Sequence, residues 1–237
     1  MKRQRLGQHY LTDPDVIRAM VGFAQIKPSE DVLEIGTGQG ALTKELAGAG
    51  KSLVGYEVDR ENYDATMNAV GGTRARIRLA DAFDQTPEFD VLVSSLPYSE
   101  SATFVQWLSG IRFDRAVVVL QEDFVRKVMA PPGDRDYRGI SALAQIAFEV
   151  KWLRSVNRGS FSPQPRVNSA IVRFTQKRLV SGAEVSSVVR LFSLRRKQVG
   201  SALASLGLRV KADFGQRRVF SLLPEEVHEL CRPRRAP

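Results

Sequence analysis

Asp31-Val32-Leu33-Glu34-Ile35-Gly36-Thr37-Gly38-Gln39-Gly40 reads as a short buried strand running into a glycine-rich turn. Val32, Leu33 and Ile35 form the apolar run, Pro28 and Asp31 punctuate its start, and Ala41-Leu42-Thr43-Lys44-Glu45-Leu46 predicts a helix after the glycines. Strand, glycine turn and helix make half of a nucleotide site, because a backbone without Cβ atoms turns tightly and lets a ribose or phosphate come close. A second apolar run, Ser52 to Asp59, follows. Glu57 near its end lies about 20 residues past the first glycine, the offset at which a carboxylate grips ribose hydroxyls. That offset suits dinucleotides and S-adenosylmethionine alike. The Gly-x-Gly-x-Gly spacing lacks the longer second gap of the dinucleotide fingerprint, which favours a ligand of methionine and adenosine over a pyrophosphate.

Around this turn the chain has 237 residues, enough for one α/β domain with a buried core and a small appendage. Its single cysteine, Cys231, excludes an intrachain disulfide and suits a reducing compartment. His9 and His228 stand far apart with no cysteine or carboxylate cluster at metal spacing, so no metal is expected. No run approaches a membrane span, and the start Met1-Lys2-Arg3-Gln4-Arg5 lacks the apolar core of a signal peptide. A soluble, cytoplasmic protein is expected. The formal charge is +9, and it is unevenly spread: residues 177–237 carry 13 Lys/Arg against 5 Asp/Glu, while residues 1–176 carry 22 against 21. A basic tail on a balanced body points to an anionic partner, most plausibly nucleic acid.

After the basic start, Thr12-Asp13-Pro14 marks a helix beginning, with Val16, Ile17, Met20, Val21 and Phe23 as its apolar stripe. The residues before it are placed to fold over the cofactor. Helices are expected over 60–69, 101–108, 122–129 and 141–149, and strands over 75–79, 89–94, 115–121, 151–156 and 169–175. The last of these alternates in the manner of an antiparallel edge. Residues 131–139 read as a polar, mobile loop that touches substrate. Alternating strands and helices imply a doubly wound, Rossmann-like, mostly parallel sheet with its ligand at the carboxyl ends of the strands. From about Val180 the pattern changes to short helices. The expected division is therefore residues 1–178 for the cofactor-binding domain and 179–237 for a small basic helical domain.

Asp81, delivered by the third of these strands to the same sheet edge, could accept from an adenine amine, and Ser95-Leu96-Pro97-Tyr98 follows directly on the fourth. Taken together with Gln8, His9 and Leu11 and with Phe161-Ser162-Pro163-Gln164-Pro165-Arg166-Val167-Asn168, the chain resembles the rRNA adenine dimethyltransferases of the KsgA and Erm type. The match runs over nearly its whole length. Leu6 to Leu11 resembles the family's Gly-Gln-x-Phe-Leu signature, Glu34 to Gly38 its cofactor turn, Glu57 its ribose acid and Asp81 its adenine-binding acid. The Phe161 segment and Arg195-Arg196-Lys197 place it nearer the KsgA branch.

The resemblance implies a class I methyltransferase that uses S-adenosylmethionine to dimethylate two adjacent adenosines near the 3′ end of small-subunit rRNA. It implies a monomer that acts during ribosome maturation. Cofactor contacts would come from Gln8, His9, Leu11, Gly36, Gly38, Glu57, Asp81 and Ser95. An adenine amine is a poor nucleophile because its lone pair is delocalised, so the site must offer acceptors that favour a pyramidal nitrogen; in the family these places fall on Ser95 and the Leu96 carbonyl, with Pro97 fixing the turn. Tyr98 would stack on the target base and Phe161 close its other face, which suits an unpaired or flipped base. Arg195, Arg196 and Lys197, together with Arg217-Arg218, would place cations on short helices to grip rRNA phosphates.

Ser95 departs from the family's usual Asn, and Glu100 puts a charge where the family is usually neutral. The serine hydroxyl is shorter but can still accept from an amine. These departures keep open a non-enzymatic factor that binds the immature subunit; an oxidoreductase on the same sheet is a further alternative, opposed by the glycine spacing and the Pro-Tyr turn.

Overall fold

A computed structural model describes residues 8–207 and 214–233. The expected basic arm and the Leu6-Gly7 start of the N-terminal signature lie outside the described residues. In chain order the elements are β1 (Tyr10–Leu11), α1 (Pro14–Ala24), β2 (Asp31–Ile35), α2 (Ala41–Leu46), β3 (Ser52–Glu57), α3 (Arg60–Ala69), β4 (Arg76–Leu79) and β5 (Val91–Ser95). There follow α4 (Ser101–Ser109), β6 (Arg115–Gln121), α5 (Glu122–Met129), α6 (Gly139–Ala147), β7 (Phe148–Val156), β8 (Phe161–Ser162), β9 (Ser169–Gln176), α7 (Gly182–Ser193), α8 (Val199–Ser205) and α9 (Pro224–Cys231).

Seven strands form one sheet in the order β4-β3-β2-β5-β6-β9-β7. The pairs from β4 through β6 are parallel, and β9 runs antiparallel to β6, with Val118 opposite Val172. Chain order reverses between β2 and β5, which makes their carboxyl ends the switch point where such sheets bind ligands. The apolar runs explain the arrangement: Val91 to Val93, Ala116 to Leu120 and Ala170 to Val172 are fully buried, as strands covered on both faces must be. One expectation is corrected. The strand at 169–176 is interior, between β6 and β7, and its alternating pattern ends in buried Phe174 rather than at a solvent edge.

The contacts divide the chain into two compact units. The first comprises residues 1–104, 112–125 and 151–176, and the second residues 105–111, 126–150 and 177–237. In the first, α1 begins where its sequence signals say: the Asp13 carboxylate accepts from the Asp15 and Val16 N–H groups, Pro14 follows, and Val16, Ile17, Met20 and Ala24 turn inward. At the amino-terminal end of the sheet Arg115 holds Glu30 through both carboxylate oxygens, at 3.0 and 2.7 Å, and this pairing draws the Glu30 carboxyl down to about 2.

In the second unit Tyr137 is fully buried and packs edge-on against Phe192, with ring centroids 5.5 Å apart. The 131–139 loop, expected to be mobile, is tied down within this unit. The Gly133 N–H donates to Phe220 O at 2.8 Å, and Arg195 donates to Arg135 O at 2.7 Å. Among the described residues no helix is long and apolar enough to cross a membrane.

Candidate active site

The glycine turn is held open by its neighbours in the first unit. Gly36, Gly38 and Gly40 all have positive φ, a region closed to most residues. At Gly38 a Cβ would stand 3.2 Å from the Tyr10 ring, and at Gly40 one would stand 2.9 Å from Ala69. The Thr66 hydroxyl donates to Gly38 O at 2.8 Å, pinning the turn to α3. The Glu57 carboxylate, only 5% exposed, accepts from Gly38 N at 2.8 Å and from Val58 and Asp59 N at 2.9 Å each. These three N–H donors fix the acid at the carboxyl end of β3, beside the turn.

Above this end of the sheet lies a cavity of about 530 Å³. It gathers most of the expected cofactor residues: Gln8, His9 and Leu11 from the N-terminal strap, Gly36 and Gly38 from the turn, and Glu57, Asp81 and Ser95 from three strand ends, with Leu96 and Pro97 on the wall. Asp81 is exposed there and caps a one-turn helix, accepting from Phe83 N at 2.9 Å. Ser95 ends β5 opposite Val119, and its hydroxyl makes no hydrogen bond within the described chain. Pro97 and Tyr98 then turn the chain into α4, with Glu100 N donating to Pro97 O at 3.0 Å.

Tyr98 is half-buried beside the cavity, its hydroxyl 2.7 Å from that of Ser169, and burial raises its phenol above the ordinary value against the pull of that hydrogen bond. Its ring lies 5.5 Å from the His9 ring, tilted by 37°. Phe161 differs from expectation. It is 4% exposed, pairs with Leu11 across the β1–β8 ladder, and packs in the apolar cluster with Val16, Val119 and Ile171. An aromatic side chain in a two-stranded ribbon buries its ring where apolar neighbours surround it. The Pro-flanked segment reaches the cavity instead through the Pro163 carbonyl, 2.7 Å from His9 Nδ1.

The cations also differ from expectation. Arg195, Arg196 and Lys197 occupy the turn between α7 and α8, and Arg217 and Arg218 lie in a later loop, not on helices. Arg195 is a packing residue: it holds Arg135 O, its guanidinium lies 5.7 Å from the Phe220 ring centroid, and burial, then the charges of Arg138 and Arg196, pull it below the usual arginine value. Arg217 is taken by Glu226 through two bonds of 2.7 Å. Arg196 and Lys197 remain exposed.

Sequence reasoning missed several cavity residues. Glu34 lines the wall 1% exposed, and burial pushes its carboxyl up to about 8; the Thr43 hydroxyl beside it opposes the rise and the Glu57 charge adds to it. Val58 is 55% exposed at the cavity rim, and Asn62 binds the Tyr10 hydroxyl at 3.2 Å. The available signal for Val58 was an apolar residue between two acids, just past a strand end. Among the described residues lining the cavity the charged groups are Glu34, Glu57, Asp81 and Glu100, all carboxyls, with no lysine or arginine. Such a lining attracts a cation and repels a pyrophosphate.

Residues 1–222 match the family described as ribosomal RNA adenine dimethylase. The chain belongs to that family. A relative from Pyrococcus abyssi, named as a probable ribosomal RNA small subunit methyltransferase A, is 36% identical over 95% of this chain and 89% of its own. A Caenorhabditis elegans relative, named as a probable dimethyladenosine transferase, is 34% identical over 84% of this chain and 68% of its own. The crystal structure of a dimethyladenosine transferase from Plasmodium falciparum shares the fold with a TM-score of 0.80, covering 94% of this chain and 96% of that one at 24% identity. This ribosomal RNA adenine dimethylase is therefore an S-adenosylmethionine-dependent enzyme on a class I methyltransferase fold, and the oxidoreductase alternative falls.

Proposed function

We propose that this cavity dimethylates two adjacent adenosines near the 3′ end of small-subunit rRNA, as the immature subunit forms. The observation that carries the reading is the all-carboxyl cavity at the carboxyl ends of β2 to β5, with Ser95, Leu96 and Pro97 on one wall. S-adenosylmethionine supplies an electrophilic methyl on a sulfonium, a cation suited to that lining. In this reading Gln8, Leu11, Gly36 and Gly38 shape its seat, Glu57 takes the ribose hydroxyls and Asp81 the adenine amine. The Ser95 hydroxyl and the Leu96 carbonyl accept from the target amine and hold its lone pair toward the methyl, so the rate comes from positioning and electrostatics. Tyr98, its ring held through Ser169, stacks on the extruded base, an interaction worth about 1–3 kcal/mol. Residues 179–237 form an RNA-gripping domain in which Arg196 and Lys197 meet phosphates. The enzyme works as a cytoplasmic monomer.

The test is transfer of labelled methyl from S-adenosylmethionine to unmodified small subunits, with the labelled bases mapped. The wild type should dimethylate, Ser95→Ala should lose activity and Ser95→Asn should keep it. The unpartnered Ser95 hydroxyl also supports a second reading, a subunit-binding factor with little activity. Binding without methylation, restored by Ser95→Asn, would favour that one.

A further inference from the structure

Methyl transfer to an adenine amine liberates a proton. The N6 lone pair forms the new C–N bond, the C–S electron pair stays on sulfur, and the methylated nitrogen carries one hydrogen too many. Neither the Ser95 hydroxyl nor the Leu96 carbonyl can keep that hydrogen, since both accept hydrogen bonds but are far too weak as bases. A group that can hold a proton is needed beside the target base.

We propose that His9 is that group: a catalytic base whose Nε2 accepts the N6 proton of the target adenosine. The proposal rests on the adenine-methylating reading above and moves His9 from the cofactor to the substrate.

The geometry behind it is local. His9 Nδ1 lies 2.7 Å from Pro163 O. A carbonyl oxygen only accepts, so Nδ1 must carry the hydrogen, and in the neutral ring Nε2 is left with its lone pair. That anchor is unchanged when Nε2 takes up a proton, so His9 can cycle between its two states without turning over. Its ring lines the same cavity as Ser95, Leu96 and Pro97 and lies 5.5 Å from Tyr98, the stacking platform for the base.

The competing groups are otherwise engaged. Glu57 is occupied by three backbone N–H groups, and Glu34 is sealed in the wall at 1% exposed. Asp81 caps its own turn at the far strand end. Glu100, beside the catalytic turn and bonded to the Ser99 hydroxyl at 3.1 Å, is the serious rival. These four carboxyls and the Tyr98 phenol are the titratable groups facing His9 from the cavity and the turn. The carboxyl charges favour the imidazolium once it forms. The step balances: the N6–H bond breaks, an Nε2–H bond forms, and the imidazolium returns its proton to solvent before the second methylation.

The experiment is single-turnover methylation of unmodified small subunits at saturating S-adenosylmethionine across pH 5.5 to 9, with cofactor affinity measured in parallel by calorimetry. His9→Asn keeps a side-chain N–H able to hold Pro163 O and lacks the base; Glu100→Gln is the companion variant. Expected are a wild-type rate that falls on the acid side, a loss of about tenfold or more for His9→Asn, in line with general-base contributions, and a flattened acid limb. Cofactor affinity should change less than about threefold. Thermal unfolding of each variant checks that it folds, and His9→Gln, which places an acceptor nearer Nε2, should recover part of the rate but not the acid limb.

Three results overturn the proposal while leaving the methylation reading intact. His9→Asn could keep the wild-type rate and acid limb; it could lose cofactor affinity in step with rate; or the acid limb could vanish in Glu100→Gln alone. A wild-type chain that binds subunits but transfers no methyl overturns both.

Discussion

Replacing Glu34 by Gln should flatten the pH dependence of stability in the neutral range. The carboxyl is 1% exposed on the cavity wall, and its folded-state value of about 8 stands against an ordinary 4.5. Because the folded value is the higher one, the folded protein keeps this proton where the unfolded chain has lost it. The protonated carboxyl costs nothing extra below about pH 4.5; stability then falls as pH rises, and the loss is complete above about 8. Taken in full, the shift corresponds to about 5 kcal/mol. Water entering the open cavity and the shared charge of Glu57 reduce this, so we expect about 2–3 kcal/mol between pH 5 and pH 8. Glutamine has the same shape and no proton to lose. Urea unfolding followed by tryptophan fluorescence at pH 5, 6.5 and 8 should show the Glu34→Gln advantage widening with pH, other titrations cancelling in the difference. Saturating S-adenosylmethionine brings positive charge into the cavity and should shrink the wild-type slope. Parallel stability curves for the two proteins would refute the reasoning.

At the ribose acid, Glu57→Gln turns a donor toward the Gly38 N–H where an acceptor now sits; calorimetry should show cofactor affinity reduced at least about tenfold, in keeping with the ~1.5–3 kcal/mol of charge-assisted hydrogen bonds. For the cationic turn, Arg196→Glu with Lys197→Glu should leave the melting temperature unchanged and lower the salt slope of subunit binding by about one for each phosphate no longer neutralised. Arg195→Glu should instead lower the melting temperature, since it forfeits the Arg135 carbonyl and the Phe220 ring. Glu30, held near 2 by Arg115, stabilises the fold above about pH 4.5 and loses this as pH falls toward 2. Glu30→Gln should therefore cost about 1–2 kcal/mol at neutral pH, discounted for solvent at the rim, and nothing by pH 2 in chemical denaturation.

The strand, glycine turn and helix at 31–46 were legible because their signals are local: an apolar run, three glycines and a cap-free start, all confined to neighbours in sequence. Helix α1 was legible for the same reason, through Asp13 and Pro14. What escaped was set by partners far along the chain. Two residues are too few to show a period, so the β1–β8 ribbon was invisible, and with it the burial of Phe161 against Leu11. The place of β9 inside the sheet depends on which strand it meets, and alternation alone does not choose between an edge and an interior position. Arg195 and Arg196 look alike in sequence, yet only one is claimed by a carbonyl sixty positions away and an aromatic ring. Glu34 was read as part of a strand; only the sheet around it shows a carboxyl sealed from water and turned to the cavity.

The charge distribution of the molecule follows from what its two ligands carry. A chain of formal charge +9 attracts a polyanion, and a cavity lined with basic groups would then trap phosphate where the chemistry must occur. This cavity is lined by four carboxyls instead. The sugar-phosphate backbone is thereby kept out while the cationic methyl donor and the uncharged base are admitted, and the acids that seat the cation also favour a protonated His9 after transfer. Adding a lysine at this wall, as in Ser99→Lys, tests the separation: Ser99 is exposed beside Glu100, and its side chain bonds only the Glu100 carboxylate. The positive charge should weaken cofactor binding at low salt, recover as salt screens it, and strengthen rather than weaken subunit binding. A variant whose cofactor affinity did not respond to salt would show that the acidic lining serves packing and not the selection of ligand charge.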